Sequence, residues 1–346
     1  MISSREWHLV RRPDGRPTDD DVRLVTTEVG EPAEGQVRVR NLVMSVEPYM
    51  RGRMEETSGY AESYVLDEPM HGRAVGEVTA SAADDLPVGT LVLTEAGWRE
   101  HALVAAADCT EVPATGLPPS VHLGALGITG MTAWVGLERI AQLRPGETVL
   151  VTSAAGGVGA IAVQMAKARG CTVLGSAGSE AKVTWLRDEL GVDAAFSHRG
   201  APYRHALRDA LAGVGADGLD VVFENVGGDH LEAAIRHLNL HARIALCGMI
   251  ATYNATEPVP GPRNLIRLIW QRARLEGFLL GDHDDARPAF EAEMIPWLED
   301  GTIQNPETAV EGGIEAAFDA FLGMLDGTGI GKVVVPLAAP SGAAGR

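Results

Sequence analysis

Cysteine is scarce: there are three in 346 residues, Cys109, Cys171 and Cys247, scattered along the chain. That excludes a disulfide framework and a four-thiolate zinc lobe, and it suits a reducing cytoplasm, the expected location. Basic residues are also short, 29 Lys and Arg against 47 Asp and Glu, which leaves a formal charge of −18. Nucleic-acid backbones are bound through Lys and Arg that neutralise phosphates, so no nucleic-acid partner is expected, and no affinity for an anionic membrane. No apolar run approaches the roughly 18 residues of a membrane span. The opening residues 1–7 lack the apolar stretch of a signal peptide. There is no low-complexity block and no short-period repeat. In so acidic a chain, an anionic ligand requires a locally positive pocket.

What is present divides in two. Residues 1 to about 120 read as short strands between Gly and Pro turns, for example 36–43, with period-two alternation, and 89–94. From about 125 the pattern becomes strand, turn, helix. Thr148 to Ser153 is a short β-branched run, and Val158, Ile161, Ala162, Met165 and Ala166 then fall at helical spacing. Further strands are expected at 171–175, 219–224, 242–247 and 276–280, with helices at 181–190 and 231–238. Such alternation implies a parallel sheet covered on both faces. The chain then shows a helix at 314–325 and a strand at 331–336 that returns to the first domain.

Between the 148–153 strand and its helix stands Ala154-Ala155-Gly156-Gly157-Val158-Gly159, a dinucleotide-binding fingerprint with Ala154 in the first glycine position. Gly156 lets backbone approach a pyrophosphate, Gly159 lets the helix pack against the strand, and the helix N-terminus offers free N–H groups to the anion. NAD enzymes place an acid at the tip of the next strand. Here that strand ends Leu174-Gly175-Ser176-Ala177-Gly178-Ser179, and Lys182 and Arg187 follow; Glu180 is the dissenting residue. The reading is NADPH.

These residues resemble the medium-chain dehydrogenase/reductases, and more closely their zinc-free branch of prostaglandin reductases (leukotriene B4 12-hydroxydehydrogenases), with the alkenal double-bond reductases and curcumin-reductase-like enzymes. The other markers are Val46-Glu47-Pro48-Tyr49-Met50-Arg51, Glu224-Asn225-Val226-Gly227-Gly228, Cys247-Gly248-Met249-Ile250-Ala251-Thr252-Tyr253-Asn254 and Gly331-Lys332. The resemblance implies an α/β chain: a GroES-like β-rich catalytic domain from 1–125 with 303–346, and a doubly wound Rossmann domain over 126–302. It implies homodimers joined through the Rossmann domains. Gly156, Gly157, Val158 and Gly159 would meet the pyrophosphate and Lys182 the 2′-phosphate. Asn225 and the 247–253 turn would line the nicotinamide half, and Phe278, Leu279 and Leu280 would close over it. Two positions depart from the family pattern. His198 stands where a tyrosine usually serves the 2′-phosphate, and Gly329 where an asparagine usually contacts the cofactor.

Zinc-dependent relatives take their metal from an early Cys, a Gly-His-Glu and a later Cys or acid. This chain has Ser45-Val46-Glu47 and Met70-His71-Gly72-Arg73 at the first two places, so no metal is expected. Without a Lewis acid, reduction of an alkene conjugated to a carbonyl remains accessible. Hydride goes to the β-carbon, and the site need only donate a hydrogen bond to the oxygen that becomes an enolate. Tyr253 is the first candidate donor and Tyr49 the second; the ribose hydroxyl of the cofactor is a third. The expected activity is NADPH-dependent reduction of an enone or enal. An NADPH:quinone reductase and a catalytically idle NADPH-binding protein are the competing readings. Arg51 and Arg53 either greet an anionic substrate group or belong to a solvated face. Trp7, Trp134 and Trp270 are expected in the core or a pocket wall.

Overall fold

The computed structural model describes residues 1–57, 59–113, 116–200 and 202–339. Of the 303–346 segment assigned above, 340–346 lie outside the described residues. The chain divides into two compact units. Among the described residues, one comprises Met1–Leu123, Glu307–Gly329 and 333–339; the other comprises Gly124–Pro306 and Ile330–Lys332.

The first unit is built from antiparallel strands. β1 (Ile2–Leu9) pairs with β2 (Val22–Val29). The larger sheet holds β3 (Gln36–Ser45), β4 (Ala74–Ser81), β5 (Leu91–Thr94), β6 (His101–Ala105) and β7 (Thr110–Glu111). It is completed by two strands that come much later in sequence, β14 (Glu307–Ala309) and β15 (Lys332–Pro336), with β15 antiparallel to β3. The short helix α1 (Tyr49–Arg53) follows β3, and α9 (Ala317–Leu325) lies between β14 and β15. Burial holds this unit together: Met44, Met50, Met54, Trp98, Phe318 and Phe321 form one core, each almost wholly removed from water. Burying a side chain of that size stabilises by about 1.5–3 kcal/mol.

The second unit is a six-stranded parallel sheet. Its strands are β8 (Thr148–Val151), β9 (Thr172–Ala177), β10 (Ala194–Ser197), β11 (Leu219–Glu224), β12 (Leu238–Leu246) and β13 (Arg274–Gly277). They run in the order β10-β9-β8-β11-β12-β13. The connecting helices are α3 (Gly157–Ala168), α4 (Glu180–Asp188), α5 (Tyr203–Gly213), α6 (Gly228–Arg236) and α7 (Ile266–Gln271); α2 (Ile128–Val135) precedes the sheet and α8 (Arg287–Glu299) follows it. The chain winds outward from β8 to β10, returns, and winds the other way through β11 to β13. The gap between β8 and β11 is therefore the topological switch point, where such sheets bind ligands at their carboxyl ends.

Three expectations need correction. The strand at 276–280 is β13 at Arg274–Gly277, and Phe278 to Leu280 lie beyond it, because the ladder to β12 ends at the Leu246–Gly277 pair. Trp270 is neither core nor pocket wall: it is 62% exposed on α7. Arg51 is neither a solvated residue nor a greeter of substrate. It is buried, and its guanidinium donates to the Gly15 carbonyl at 2.8 and 3.1 Å and to Glu55. Strand β10 and helices α2, α5, α7 and α8 carry no motif and fall outside the sequence reading.

Candidate active site

The switch point is built from Thr152, Ser153 and Glu224. Thr152 and Ser153 follow β8, and Ser153 holds a left-handed backbone, φ 51°. The tight turn thus falls at Ser153, one residue before Ala154, the position matched to the first glycine. Gly159 is required for packing: a Cβ there would stand 2.3 Å from the Ser153 carbonyl oxygen. The methyl of Ala154 in turn fills the space left by Gly175, 3.0 Å from where a Cβ would be. Gly156 is the N-cap of α3, so Gly157, Val158 and Gly159 form its first turn, at the helix end whose dipole favours an anion.

Glu224 ends β11 and is fully buried. Its Oε1 accepts from the backbone N–H of Val226 and Gly227, each at 2.8 Å, and from the Thr152 hydroxyl at 3.0 Å. The Thr152 hydroxyl oxygen accepts the Asn225 N–H at 2.8 Å, and the Asn225 amide donates to the Thr152 carbonyl at 2.7 Å. Asn225 is therefore locked by strands on both sides of the switch point. Oε2 of Glu224 is buried without a partner, and burial pushes this carboxyl up to about 7.

The 247–253 segment is stitched onto the same turn. Cys247 and Gly248 donate to the Glu224 carbonyl at 2.9 and 3.1 Å, Ile250 to that of Asn225 at 3.2 Å, and Ala251 to that of Val226 at 3.1 Å. Thr252 donates both its N–H and its hydroxyl to the Met249 carbonyl, each at 2.8 Å. The turn brings the Tyr253 hydroxyl 3.6 Å from the place a Cβ on Gly248 would take. Burial, and then Cys247, raise the Tyr253 phenol above its ordinary range, so it stays protonated; the Met249 N–H opposes the shift. Burial likewise pushes the Cys247 thiol up to about 12, which leaves it a poor nucleophile.

On the far side of β8, cations gather past the ends of β9 and β10. Lys182 lies in the first turn of α4, whose N-cap Ser179 accepts its backbone N–H. Burial and the neighbouring Arg199 lower the Lys182 ammonium; burial, Arg199 and Lys182 lower His198. The two cations Lys182 and Arg199, with the His198 imidazole beside them, in a chain of net charge −18, suit a bound polyanion. With the glycine cradle at 156–159 it fits a phosphorylated dinucleotide.

Phe278 lies against Gly136, where a Cβ would come within 3.0 Å of its ring, and it meets His283 edge-on at 6.5 Å. Leu279 is exposed and Leu280 half-buried. Gly329 belongs to the first unit; a Cβ there would stand 2.6 Å from Val333 Cγ2, so its neighbours leave no space for the usual asparagine.

Tyr49, the other candidate donor, opens α1 in the first unit. Burial, then Glu47 and Glu95, hold its phenol un-ionised, and Arg73 opposes them. Arg73 pairs with Glu95 at 2.8 Å, and Glu47 accepts from the Ser45 hydroxyl at 3.4 Å. Among the described residues no three His, Cys, Asp or Glu side chains group as a metal site would need. Among the described residues no helix is long and apolar enough to cross a membrane.

Sequence reasoning missed Glu224, Thr152 and His230 as parts of the site. Glu224 carried a signal, an acid at the end of an apolar strand; His230 carried none.

Two family models match the chain: an N-terminal domain of oxidoreductase over residues 5–112, and a zinc-binding dehydrogenase over 157–300. The NADPH-dependent curcumin reductase of Escherichia coli is 36% identical, covering 97% of both chains. Mouse prostaglandin reductase 1 is 37% identical over 97% of this chain and 99% of its own. The crystal structure of CurA from Vibrio vulnificus in complex with NADPH superposes with a TM-score of 0.91 at 37% identity, covering 97% of this chain and all of that one. Likeness that runs nearly end to end at this level, on the same pair of folds, leaves one assignment: the chain belongs to the prostaglandin reductase branch of the medium-chain dehydrogenase/reductases, a family of oxidoreductases.

Proposed function

We propose that the protein reduces the C=C bond of an α,β-unsaturated ketone or aldehyde with NADPH, without a metal. The observation that carries this reading is the lacing of the 247–253 segment to Glu224, Asn225 and Val226, with a protonated Tyr253 phenol at the switch point. When bound, NADPH supplies the hydride that adds to the β-carbon. Gly156, Gly157, Val158 and Gly159 hold the pyrophosphate, and Lys182 with His198 the 2′-phosphate. Asn225, the 247–253 turn, Phe278, Leu279, Leu280 and the Gly329 backbone hold the nicotinamide half. Tyr253 donates a hydrogen bond to the carbonyl oxygen as it becomes an enolate, a contact stronger in the transition state than in the ground state. Tyr49 lines the substrate site and is the alternative donor.

The protein acts in the cytoplasm as a homodimer joined through the Rossmann units. The exposed Leu265, Ile266, Ile269 and Trp270 and the open edge of β13 support that surface, since unpaired edges and apolar patches seek partners. The test is NADPH oxidation against a panel of enals, cyclic enones, enoyl thioesters and quinones, with and without a chelator. Turnover of enals and enones that survives chelation is expected. Quinone turnover alone, or NADPH binding with no turnover of any of them, would overturn the reading.

A further inference from the structure

The space beside Gly178 is walled by side chains that sequence motifs did not group. A Cβ on Gly178 would stand 3.3 Å from His198 Cε1, 3.5 Å from its Nε2 and 4.0 Å from Arg199 Nε. The His198 ring packs on His230 with centroids 4.9 Å apart, and His230 lies flat on Tyr203 at 3.9 Å, planes 12° apart. Tyr203 is anchored in turn, its hydroxyl donating to Ser176 Oγ at 3.1 Å. The Nδ1 atoms of His198 and His230 are buried without partners. Among the described residues, the charged or titratable groups that face His198 are Lys182 from α4, Arg199 from the loop after β10 and His230 from α6, with the Tyr203 phenol of α5 behind His230; none of them is a carboxylate.

We propose that His198 is a proton-linked determinant of nucleotide choice: it takes up a proton when a phosphate monoester docks beside Gly178, so the preference for NADPH over NADH sharpens as pH falls. The inference rests on the NADPH reading above and adds to it a titrating group. In the free protein, burial, Arg199 and Lys182 hold His198 below its ordinary 6.5. A dianion placed against the ring reverses the sign of the local field and favours the imidazolium, which donates a charge-assisted hydrogen bond. Between the free and bound values, binding takes up a proton, and affinity for NADPH rises as pH falls, by at most about tenfold per pH unit for one proton. Above the bound value no proton is taken up and the dependence ends. Below pH about 6 the phosphate itself protonates and opposes it. NADH lacks the phosphate and lacks the effect. His230 stays neutral throughout, because burial and then His198 push it down to about 3, so one histidine of the pair does the titrating. A tyrosine at this position, with a pKa of about 10, would bind the phosphate without any pH dependence in this range.

The test is a set of dissociation constants for NADPH and NADH, by fluorescence titration between about pH 6.5 and 8, for wild type, His198→Tyr and His198→Gln. Calorimetry in buffers of different ionisation enthalpy counts the protons taken up. Wild type should lose NADPH affinity severalfold per pH unit as pH rises, with NADH flat and up to one proton taken up. Both variants should bind NADPH with a flat profile. A flat NADPH-to-NADH ratio in wild type, or a slope that survives in both variants, would overturn the proposal. Failure of the cofactor reading would look different: NADH bound as tightly as NADPH at every pH.

Discussion

The backbone N–H of Gly331 donates to the carbonyl of Ala155 over 2.8 Å, so the phosphate loop is pinned by a residue half the chain away. The next N–H, of Lys332, donates to the Pro306 carbonyl at 2.8 Å. Gly331 has φ 67°, and a Cβ on it would stand 2.0 Å from that same Pro306 oxygen. Only glycine meets both demands. Gly331→Ala is therefore expected to cost about 2 kcal/mol or more. It should weaken NADPH and NADH binding alike if the loop holds the pyrophosphate they share, as proposed. Thermal unfolding with and without nucleotide checks this; an unchanged Tm would mean that the Pro306 segment yields.

Lys182→Ala should raise the KM for NADPH about ten- to a hundredfold and leave that for NADH nearly unchanged. A charge-assisted contact contributes roughly 1.5–3 kcal/mol, and the cation is one of the cluster beside Gly178. Steady-state kinetics with both nucleotides decides it; equal effects on the two would remove Lys182 from the phosphate subsite.

Tyr253→Phe keeps the ring and removes one hydroxyl. If that hydroxyl stabilises the enolate, kcat should fall about 10²- to 10³-fold, as for the loss of one oxyanion donor. Single-turnover hydride transfer should slow with it, while NADPH affinity holds. Weakened NADPH binding with unchanged hydride transfer would make Tyr253 a cofactor clamp and move attention to Tyr49 and the ribose hydroxyl.

Glu224 makes stability depend on pH. Its carboxyl is pushed by burial from the ordinary 4.5 up to about 7. Below about pH 4.5 it is neutral in both states and costs nothing. As pH rises toward 7 the unfolded chain ionises first, and folding loses up to about 3 kcal/mol. Glu224→Gln should abolish that loss. Urea unfolding at about pH 5 and pH 8 should show the variant gaining on wild type at the higher pH, and parallel changes in the two would count against the buried carboxyl.

Much of this is legible in the sequence. The strand at 219–224 and the helix after Gly156 announce themselves through β-branched runs and helical spacing, because both are buried on defined faces. The glycine loop is legible because Gly159 has no room for a Cβ beside the Ser153 carbonyl, and the Thr252-Tyr253-Asn254 string is legible only through the family resemblance. What stayed hidden is what folding alone creates. His230 stacks between His198 and Tyr203 from three different elements, and no local pattern encodes a meeting of that kind. Trp270 misled because an apolar side chain is normally buried, and nothing in its own segment tells a core face from an open one. Ser153 carried the left-handed turn although the glycine fingerprint begins one residue later, since spacing constrains the loop's length more tightly than the place of its sharpest bend.

The first unit takes its sheet and its core from both sides of the second. β15 pairs with β3, the Trp7 indole donates to the Ile314 carbonyl at 2.7 Å, and Phe318 packs on Trp7 with ring centroids 5.7 Å apart. During synthesis at about 5–20 residues per second, β3 therefore waits on the order of tens of seconds for its partner strand, its edge open to other chains meanwhile. The second unit meets no such delay, since all but Ile330–Lys332 is contiguous. The domain that leaves the ribosome first is thus the last to be sealed, and the nascent chain's exposure to aggregation is concentrated there.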